Sequence, residues 1–475
     1  MYQKTNNGGR KPGYKPGKPS SKASAKPDKP VISGARMTAL RALYDVFYME
    51  SYCNLALDKQ IKLVRLSDDD KRLATGIFYA CVENRMRTDY ILSPFIKEAP
   101  QPIVNCILHI AAAQILYMDR IPPHAAVNEA VNQTRAYKKE ECAGFVNGVL
   151  RSLLRAKEAG ELRLPDEEAD REKYLSIMYS CSPFAVKLLT DAYGYDEAKA
   201  LLSYRQDKGG ETLRPNLIRY SDAELESWLT ENGFEWEKGM VPHAYRVRRG
   251  GNPAQTEAFN QGLFSVQGQS AMLAAMALNV KRGMTVLDCC AAPGGKAALI
   301  GELMQGSGRV YAWDLHEHRV ELIKETAKRL GLDNLRCAVK DACVPKEEIN
   351  GTMDAVLIDA PCTGLGVMAD KPDIKYGLDE KKYADIVRTQ KSILDTCSAY
   401  VKPGGIMVYS TCSVLPGENQ QQVHAFLMAH PEFKTENRAD FLPESLKPLY
   451  KDGQITLLQS RDGVEGFYIA VLRRV

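Results

Sequence analysis

Several features that mark common protein classes are missing from this chain of 475 residues. It has no run of about 18 apolar residues, which a membrane-spanning helix needs, and no apolar signal core at its amino terminus. Its 12 cysteines include no CxxC pair, and its 7 histidines show no metal-ligand spacing. We therefore expect a cytoplasmic protein with reduced thiols, no membrane contact and no bound metal.

Basic charge is concentrated at the amino terminus. The first 30 residues contain eight lysines or arginines and one acid, Asp28, and so carry +7 in a chain whose net charge is +4. Residues 1–33 are rich in lysine, proline, glycine and serine and poor in large apolar residues, which predicts a disordered basic tail. The tail could contact nucleic acid, or it could be a solvated linker without a partner.

Residues 34–168 predict an all-helical domain. Met37, Leu40, Leu43 and Phe47 recur at helical spacing. Further amphipathic patterns cover residues 68–83, 103–117, 127–137 and 145–154, with Pro123 near the first turn of the third. No strand is predicted before about residue 165.

Residues 169–278 predict a small α+β domain. Strand patterns cover residues 212–219, 244–249 and 263–267, and a helix over Asp222–Glu231 is capped by Ser221 and stopped by Gly233. Domains of this kind commonly bind RNA, and the candidates for phosphate contacts are Arg246, Arg248 and Arg249. A plain connecting domain is the alternative.

Residues 279–475 predict a doubly wound α/β domain with a mostly parallel sheet, because strands alternate with helices. The strand patterns cover residues 285–290, 309–314, 335–341, 354–359 and 405–411. The helix patterns cover residues 316–330, 381–401 and 418–430, and a hairpin of residues 455–459 and 467–473 closes the chain.

The ends of the first three strands predict a cofactor pocket. The first ends in Asp288-Cys-Cys-Ala-Ala-Pro-Gly-Gly-Lys296, where glycines allow close approach and the following helix favours a carboxylate group of a ligand. Asp314 ends the second strand, where an acid accepts from ribose hydroxyls, and Asp341 ends the third, where it could bind an adenine amino group. This combination indicates S-adenosylmethionine. Arg319 could support the site or be an ordinary arginine on the surface of a helix.

A nicotinamide dinucleotide is the competing ligand, since its fold also places an acid after the second strand. However, the glycine pattern GxGxxG is absent, and Ala-Pro-Gly-Gly is not a pyrophosphate-binding turn.

Two cysteines follow the next two strands. Cys362 in Asp359-Ala-Pro-Cys362 and Cys412 in Ser410-Thr-Cys412-Ser413 would share one crevice at the carboxyl edge of the sheet. A thiolate that attacks C6 of cytosine makes C5 nucleophilic, while Asp359, protonated or sharing a proton, could stabilise charge at N3. From spacing alone either cysteine could attack, and both could be small buried packing residues.

At these residues the chain resembles the Sun/Fmu (RsmB-type) family of RNA cytosine-C5 methyltransferases. The motifs are Asp288–Lys296, Ile358-Asp-Ala-Pro-Cys-Thr-Gly-Leu-Gly366 with Lys371-Pro-Asp-Ile374, and Tyr409-Ser-Thr-Cys-Ser-Val-Leu-Pro416 with Glu418-Asn419. Upstream, residues 120–127 and 145–151 resemble the family's NusB-like helical domain, and residues 213–216 and 265–267 resemble its middle segment.

The resemblance implies roles for residues. It makes Cys412 the nucleophile and Cys362 the residue that assists release of the product. It assigns S-adenosylmethionine to Cys290, Ala291, Ala292, Pro293, Gly294, Gly295, Lys296, Asp314, Asp341 and Asp359. It implies a Rossmann-like class I methyltransferase domain and, as substrate, 16S ribosomal RNA, at the position commonly named for cytosine 967. We expect naked or partly assembled small-subunit RNA as partner and a monomeric enzyme.

Three alternatives remain. One is a non-catalytic RNA-binding assembly factor, against which the intact cysteines and cofactor motif argue. Another is an amino-group methyltransferase, which would need a loop of the Asn/Asp-Pro-Pro-Tyr type where Asp359-Ala-Pro-Cys362 stands. The third is cytosine methylation of another RNA, such as transfer RNA.

Overall fold

The computed structural model describes residues 34–49, 51–205 and 210–475. The predicted basic tail, residues 1–33, lies outside the described residues. Within them the chain forms an amino-terminal helical domain, a small four-stranded sheet with helices, and a carboxyl-terminal α/β domain. The multidomain fold class predicted from the sequence is confirmed.

The amino-terminal domain consists of helices. They are α1 (Gly34–Tyr48), α2 (Cys53–Lys62), α3 (Asp68–Glu83), α4 (Arg85–Leu92), α5 (Pro102–Tyr117), α6 (Pro123–Ala136) and α7 (Ala143–Ala159). Leu40, Leu43 and Phe47 of α1 are buried in its core, as their spacing predicts. Pro123 is the first residue of α6, where its missing N–H costs no hydrogen bond.

Two helices follow that the sequence analysis did not describe, α8 (Arg171–Met178) and α9 (Pro183–Ser203). Their apolar residues pack against the carboxyl-terminal domain rather than the small sheet. Leu175, Val186 and Leu201 share one buried cluster with Leu365 and Leu415. These helices therefore join the amino-terminal domain to the carboxyl-terminal domain.

The small sheet is antiparallel with the strand order β2-β3-β1-β4. Its strands are β1 (Glu211–Pro215), β2 (Glu235–Lys238), β3 (Tyr245–Arg249) and β4 (Phe264–Val266), with helices α10 (Asp222–Glu231) and α11 (Glu257–Asn260). β1 ends four residues before its predicted end, and β2 was not predicted. Ser221 and Glu224 form the capping box that starts α10, and Gly233 beyond its end has a φ of 72°.

The carboxyl-terminal sheet has the order β10-β12-β9-β8-β5-β6-β7, with β11 paired to β12. Its strands are β5 (Thr285–Asp288), β6 (Arg309–Asp314), β7 (Leu335–Val339), β8 (Met353–Asp359), β9 (Val401–Thr411), β10 (Phe433–Thr435), β11 (Gln454–Leu457) and β12 (Phe467–Arg474). The helices are α12 (Gln269–Met276), α13 (Gly295–Leu303), α14 (Glu317–Leu330), α15 (Glu380–Ser398) and α16 (Gln420–Ala429). β5 to β9 are parallel, and β12 is antiparallel to β9.

Both faces of this sheet are covered, which is why its strands are continuous apolar runs. Val286 of β5 belongs to one buried cluster with Ile300 of α13, whereas the next residue, Leu287, belongs to another with Leu394 of α15. The carboxyl ends of β8 and β9 are adjacent, with Asp359 opposite Ser410. No helix in the described part of the chain is long and apolar enough to cross a membrane.

Candidate active site

The turn after β5 brings the backbone close to the neighbouring helix. Gly294 has a φ of 105°, and a Cβ atom there would lie 3.2 Å from the Cα of Ile323. Only glycine therefore suits this position, which directly precedes α13. The backbone N–H groups at the start of α13 have no partner within the helix and can bind an anion.

Asp288, the last residue of β5, is a buried acid without a partner. It is 0% exposed, and neither carboxylate oxygen has a hydrogen-bond partner among the described residues. Burial raises the pKa of Asp288 to about 7, with Lys296 opposing and Asp359 and Asp314 adding to the rise. A buried acid with free oxygens next to a glycine turn is suited to accept from a bound ligand.

Asp314 at the end of β6 is tied to the same turn by Arg319. An Nη1 atom of Arg319 lies 3.3 Å from Oδ2 of Asp314, and its Nη2 donates to the Ala292 carbonyl at 3.3 Å. Asp314 is buried and also accepts from the His316 N–H. Arg319 thus joins the ends of the first and second strands. The sequence had left two roles open for Arg319, support of the site and an ordinary position on the surface of a helix.

Asp341 lies two residues beyond the end of β7 and is exposed. Its Oδ1 accepts from the Cys343 N–H at 2.8 Å. The other residues assigned to the cofactor line the first turn: Ala291 is buried, Cys290 and Ala292 are half-buried, and Pro293 is exposed.

Lys296 and Asp359 form an ion pair across the strand ends. Their Nζ and Oδ2 atoms are 2.8 Å apart, and Ser410 donates to Oδ1 of Asp359 at 2.9 Å. Burial lowers the pKa of Lys296, but the charge and hydrogen bond of Asp359 outweigh it, so this pKa lies above its ordinary value. The pair places a protonated amine at the edge of the crevice.

The two predicted thiols meet. The Sγ atoms of Cys362 and Cys412 are 3.2 Å apart, and both cysteines are free. They meet because β8 and β9 are adjacent parallel strands whose ends lie at the same edge.

The surroundings distinguish the two sulfurs. A hydrogen bond from Cys362 lowers the pKa of Cys412, and the charges of Lys371 and Lys296 lower it further. Burial and the charge of Asp359 oppose this shift. The same hydrogen bond, with burial and the Glu418 charge, raises the pKa of Cys362 well above its ordinary value. These opposite directions favour ionisation of Cys412 over that of Cys362.

Glu418 joins the two cysteine loops and was not predicted as a site residue. Fully buried, it accepts from the Thr363 N–H at 2.9 Å and hydroxyl at 2.6 Å, and from the Ser413 hydroxyl at 2.5 Å. Gln390 of α15 also donates to it, at 3.0 Å. The sequence feature that could have identified Glu418 is its position in the polar motif that follows the strand end carrying Cys412.

Other candidates lie elsewhere or are already paired. Arg248 and Arg249, predicted to contact phosphate, pair with Glu237 and Glu235 across β2 and β3. Cys289 is buried on the α15 side of the sheet with Cys397. Within the described ranges no group of three His, Cys, Asp or Glu side chains could hold a metal ion.

Comparisons with known proteins show which family the chain resembles. The family described as 16S rRNA methyltransferase RsmB/F matches residues 275–473, and the NusB family matches residues 33–155. The probable ribosomal RNA small subunit methyltransferase B of Bacillus subtilis is 38% identical over 449 residues, covering 93% of this chain and 99% of that protein. The Pasteurella multocida ribosomal RNA small subunit methyltransferase B is 34% identical and covers 78% of this chain and 80% of its own length.

Solved structures share the fold. The crystal structure of PH0851 aligns with a TM-score of 0.80 at 24% identity, over 94% of this chain and 99% of that one. NSun6 from Pyrococcus horikoshii, solved with SFG, aligns with a TM-score of 0.54 at 22% identity, over 61% of this chain and 97% of that one. Motifs, fold and relatives agree, and the chain belongs to the ribosomal RNA small subunit methyltransferase B family.

Proposed function

We propose that this protein methylates C5 of cytosine in 16S ribosomal RNA, with S-adenosylmethionine as methyl donor and a covalent bond between Cys412 and the base. The observation that carries the proposal is the contact between two free thiols, 3.2 Å apart, at adjacent strand ends. An enzyme that attacks and then releases a pyrimidine needs both a nucleophile and a second proton-transfer group.

The residues at the first three strand ends fit the cofactor. Asp288 supplies unpaired buried oxygens, the Gly294 turn allows close approach, and Asp314 is held by Arg319 where ribose hydroxyls would donate. Asp341 is the proposed acceptor for the adenine amino group. When bound, S-adenosylmethionine supplies an electrophilic methyl group.

Cys412 begins the reaction. Its lowered pKa favours the thiolate, which attacks C6 of cytosine and forms the S–C6 bond. The electron pair of the C5–C6 double bond moves into a C4–C5 double bond and the C4–N3 pair moves to N3, which makes C5 nucleophilic toward the methyl group that the donor would supply, with S-adenosylhomocysteine as the leaving product.

Lys296 and Asp359 stabilise the charge that develops at N3. A carboxylate can donate only when protonated, and Asp359 contacts the Lys296 ammonium at 2.8 Å. The donor that this pair offers is therefore the Lys296 ammonium, with Asp359 orienting it. This proposal differs from the sequence expectation, in which Asp359 itself, protonated or sharing a proton, stabilises the charge at N3.

Cys362 completes the reaction. The hydrogen bond to Cys412 is the first cause of its raised pKa, and that cause disappears once the Cys412 sulfur is bonded to carbon. Cys362 then loses its proton to solvent more easily, and the resulting thiolate can take the proton from C5. The C5–H electrons re-form the C5–C6 double bond and expel the Cys412 thiolate.

The proposed substrate is small-subunit RNA at the position named for cytosine 967. The names of the relatives refer to the ribosomal small subunit, and the basic residues 1–33 would add sequence-independent contacts with phosphates. Naked or partly assembled RNA is the expected form, because the base must leave its stack to reach the crevice. We propose a cytoplasmic monomer.

Bisulfite sequencing tests the proposal. In a strain without this protein, one cytosine of 16S RNA should become convertible, and the wild-type gene should restore protection, whereas Cys412→Ala should not. Protection that persists in the 16S RNA of the deletion strain, or a loss confined to transfer RNA, would contradict the proposed substrate.

A further inference from the structure

The loop that follows Cys362 leaves the catalytic domain and returns to it. We call residues 363–379, between β8 and α15, the Cys362 loop; it contains a short helix, Pro372–Lys375. Near its start, the Gly366 N–H donates to the Cys412 carbonyl at 2.9 Å, and the Gly366 carbonyl accepts from Gly466 at 2.9 Å. The beginning of the loop is thus bonded directly to the backbone of the nucleophile.

The middle of this loop is held by the amino-terminal helical domain. Oδ2 of Asp373 accepts from the Cys53 N–H at 3.1 Å, at the start of α2, where Tyr52 supplies no side-chain cap. The ring of Tyr376 packs against the buried core of the helical domain, and the Arg85 guanidinium lies 5.4 Å from its centroid.

The end of the loop is held by α8 and α9. The Lys375 ammonium, 1% exposed, donates to the Tyr179 carbonyl at 2.8 Å. Ser182, before α9, donates its N–H to the Lys375 carbonyl and its hydroxyl to the Leu378 carbonyl, both at 2.8 Å. Among the described residues the Lys375 ammonium donates to this one carbonyl. Loss of the contact would leave a buried charge unpaired, which is costly, so the contact constrains the position of the loop.

We propose that the amino-terminal helical domain is a positioning element of the thiol site, acting through Asp373 and Tyr376 on the Cys362 loop. This loop begins directly after Cys362, carries Lys371 near its middle, and forms the bond to the Cys412 carbonyl between them. The helical domain therefore keeps the two sulfurs aligned, in addition to binding any RNA that it contacts. The inference rests on the proposed function for the roles of the two thiols.

Tyr376 offers a matched pair of variants. Its hydroxyl has no hydrogen-bond partner in the described residues, so Tyr376→Phe keeps the contact that matters, whereas Tyr376→Ala removes it. With a 16S RNA transcript as substrate, Tyr376→Ala should lower kcat by up to about 100-fold and leave KM for RNA little changed, because small displacements of reacting groups are that costly. Tyr376→Phe should restore kcat.

Asp373→Ala provides a second variant in case Tyr376→Ala folds poorly. It should also lower kcat, whereas Ser221→Ala, which removes a side-chain cap from α10 away from the loop, should keep the wild-type value. Wild-type kcat in a folded Asp373→Ala protein, or an equal loss in Ser221→Ala, would overturn the proposal.

Iodoacetamide separates this inference from the proposed function. Measured without RNA or cofactor, modification of Cys412 should slow in Tyr376→Ala and Asp373→Ala, and not in Tyr376→Phe, because a displaced loop removes the thiol and cation that favour the thiolate. An unchanged rate in both variants would overturn the inference. Slowed modification in a protein that methylates no cytosine would refute only the proposed function.

Discussion

The Sγ atoms of Cys362 and Cys412 lie 3.2 Å apart, although the two residues are 50 positions apart in the chain. This distance allows one sulfur to donate to the other, and the hydrogen bond from Cys362, with the Lys371 and Lys296 charges, lowers the pKa of Cys412. Nucleophile and proton-transfer group thus form one coupled unit, and changing either thiol should affect the other.

The first prediction concerns the covalent intermediate. Cys362→Ala should accumulate a protein–RNA complex that survives a denaturing gel, because Cys412 still attacks but the C5 proton is no longer removed. Cys412→Ala should abolish both methylation and the complex. Formation of the stable complex by Cys412→Ala instead would reverse the two roles.

The second prediction concerns the pH dependence of Cys412. In the free protein its alkylation rate should rise with pH around a midpoint below that of an ordinary thiol, about 8.5. Cys362→Ala removes the hydrogen bond that is the largest cause of the lowered pKa, so the midpoint should move to higher pH. Mass spectrometry of the Cys412 peptide measures this, and an unmoved midpoint would contradict the coupling.

The third prediction concerns Asp288. Its pKa of about 7 in the folded protein exceeds the value of about 3.9 expected after unfolding, so the folded state binds the proton more tightly. The contribution of Asp288 to stability should therefore fall by roughly 3 kcal/mol as the pH rises from 4 to 7.

Asp288→Asn should remove this dependence. In urea unfolding of the carboxyl-terminal domain, the variant should be more stable than the wild type at pH 8 and similar near pH 4, while it binds S-adenosylmethionine more weakly. Parallel stability curves for the two proteins would show that Asp288 does not titrate in this range.

The fourth prediction concerns Arg214 and Glu302. Both are 0% exposed and form a bidentate pair that joins the small sheet to α13. Glu302→Ala leaves a buried guanidinium unpaired and should cost about 3–5 kcal/mol of unfolding free energy. Glu321→Ala, which breaks the exposed pair with Lys324, should cost at most about 1 kcal/mol. Equal losses of unfolding free energy in the two variants would mean that burial does not determine how much these ion pairs contribute to stability.

The fifth prediction concerns the basic tail. Deleting residues 1–33 should weaken RNA binding at low salt and reduce its salt dependence, because fewer cations neutralise phosphates, while catalysis continues. The matched control replaces the eight basic residues by glutamine at constant length. If binding by both variants keeps the wild-type salt slope, the tail makes no contact with RNA.

Much of the fold could be predicted because local patterns agree with it. The apolar runs of β6 and β8 and the cap of α10 carry their own signals, and their boundaries were predicted within one residue. β1 shows a limit of this approach. After Pro215, Asn216 turns back to bond the Gly262 and Leu330 carbonyls, so a tertiary contact ended the strand early.

Residues whose role depends on distant partners could not be predicted. Arg319 has the spacing of a surface helix residue, yet it connects two strand ends. Tyr376 lies in a loop of the catalytic domain but packs in another domain, and no periodicity of the sequence marks its partner.

The sequence by itself determined the strand ends at which the chemistry occurs, because apolar runs followed by acids, glycines and cysteines show where a parallel sheet presents its edge. Tertiary structure alone decided the different surroundings of the two sulfurs, since Lys371, Lys296 and Glu418 reach the two thiols from different parts of the chain. It also decided that a separate helical domain supports the Cys362 loop. Electrostatic and packing interactions depend on distance in space, and distance along the chain does not reveal them.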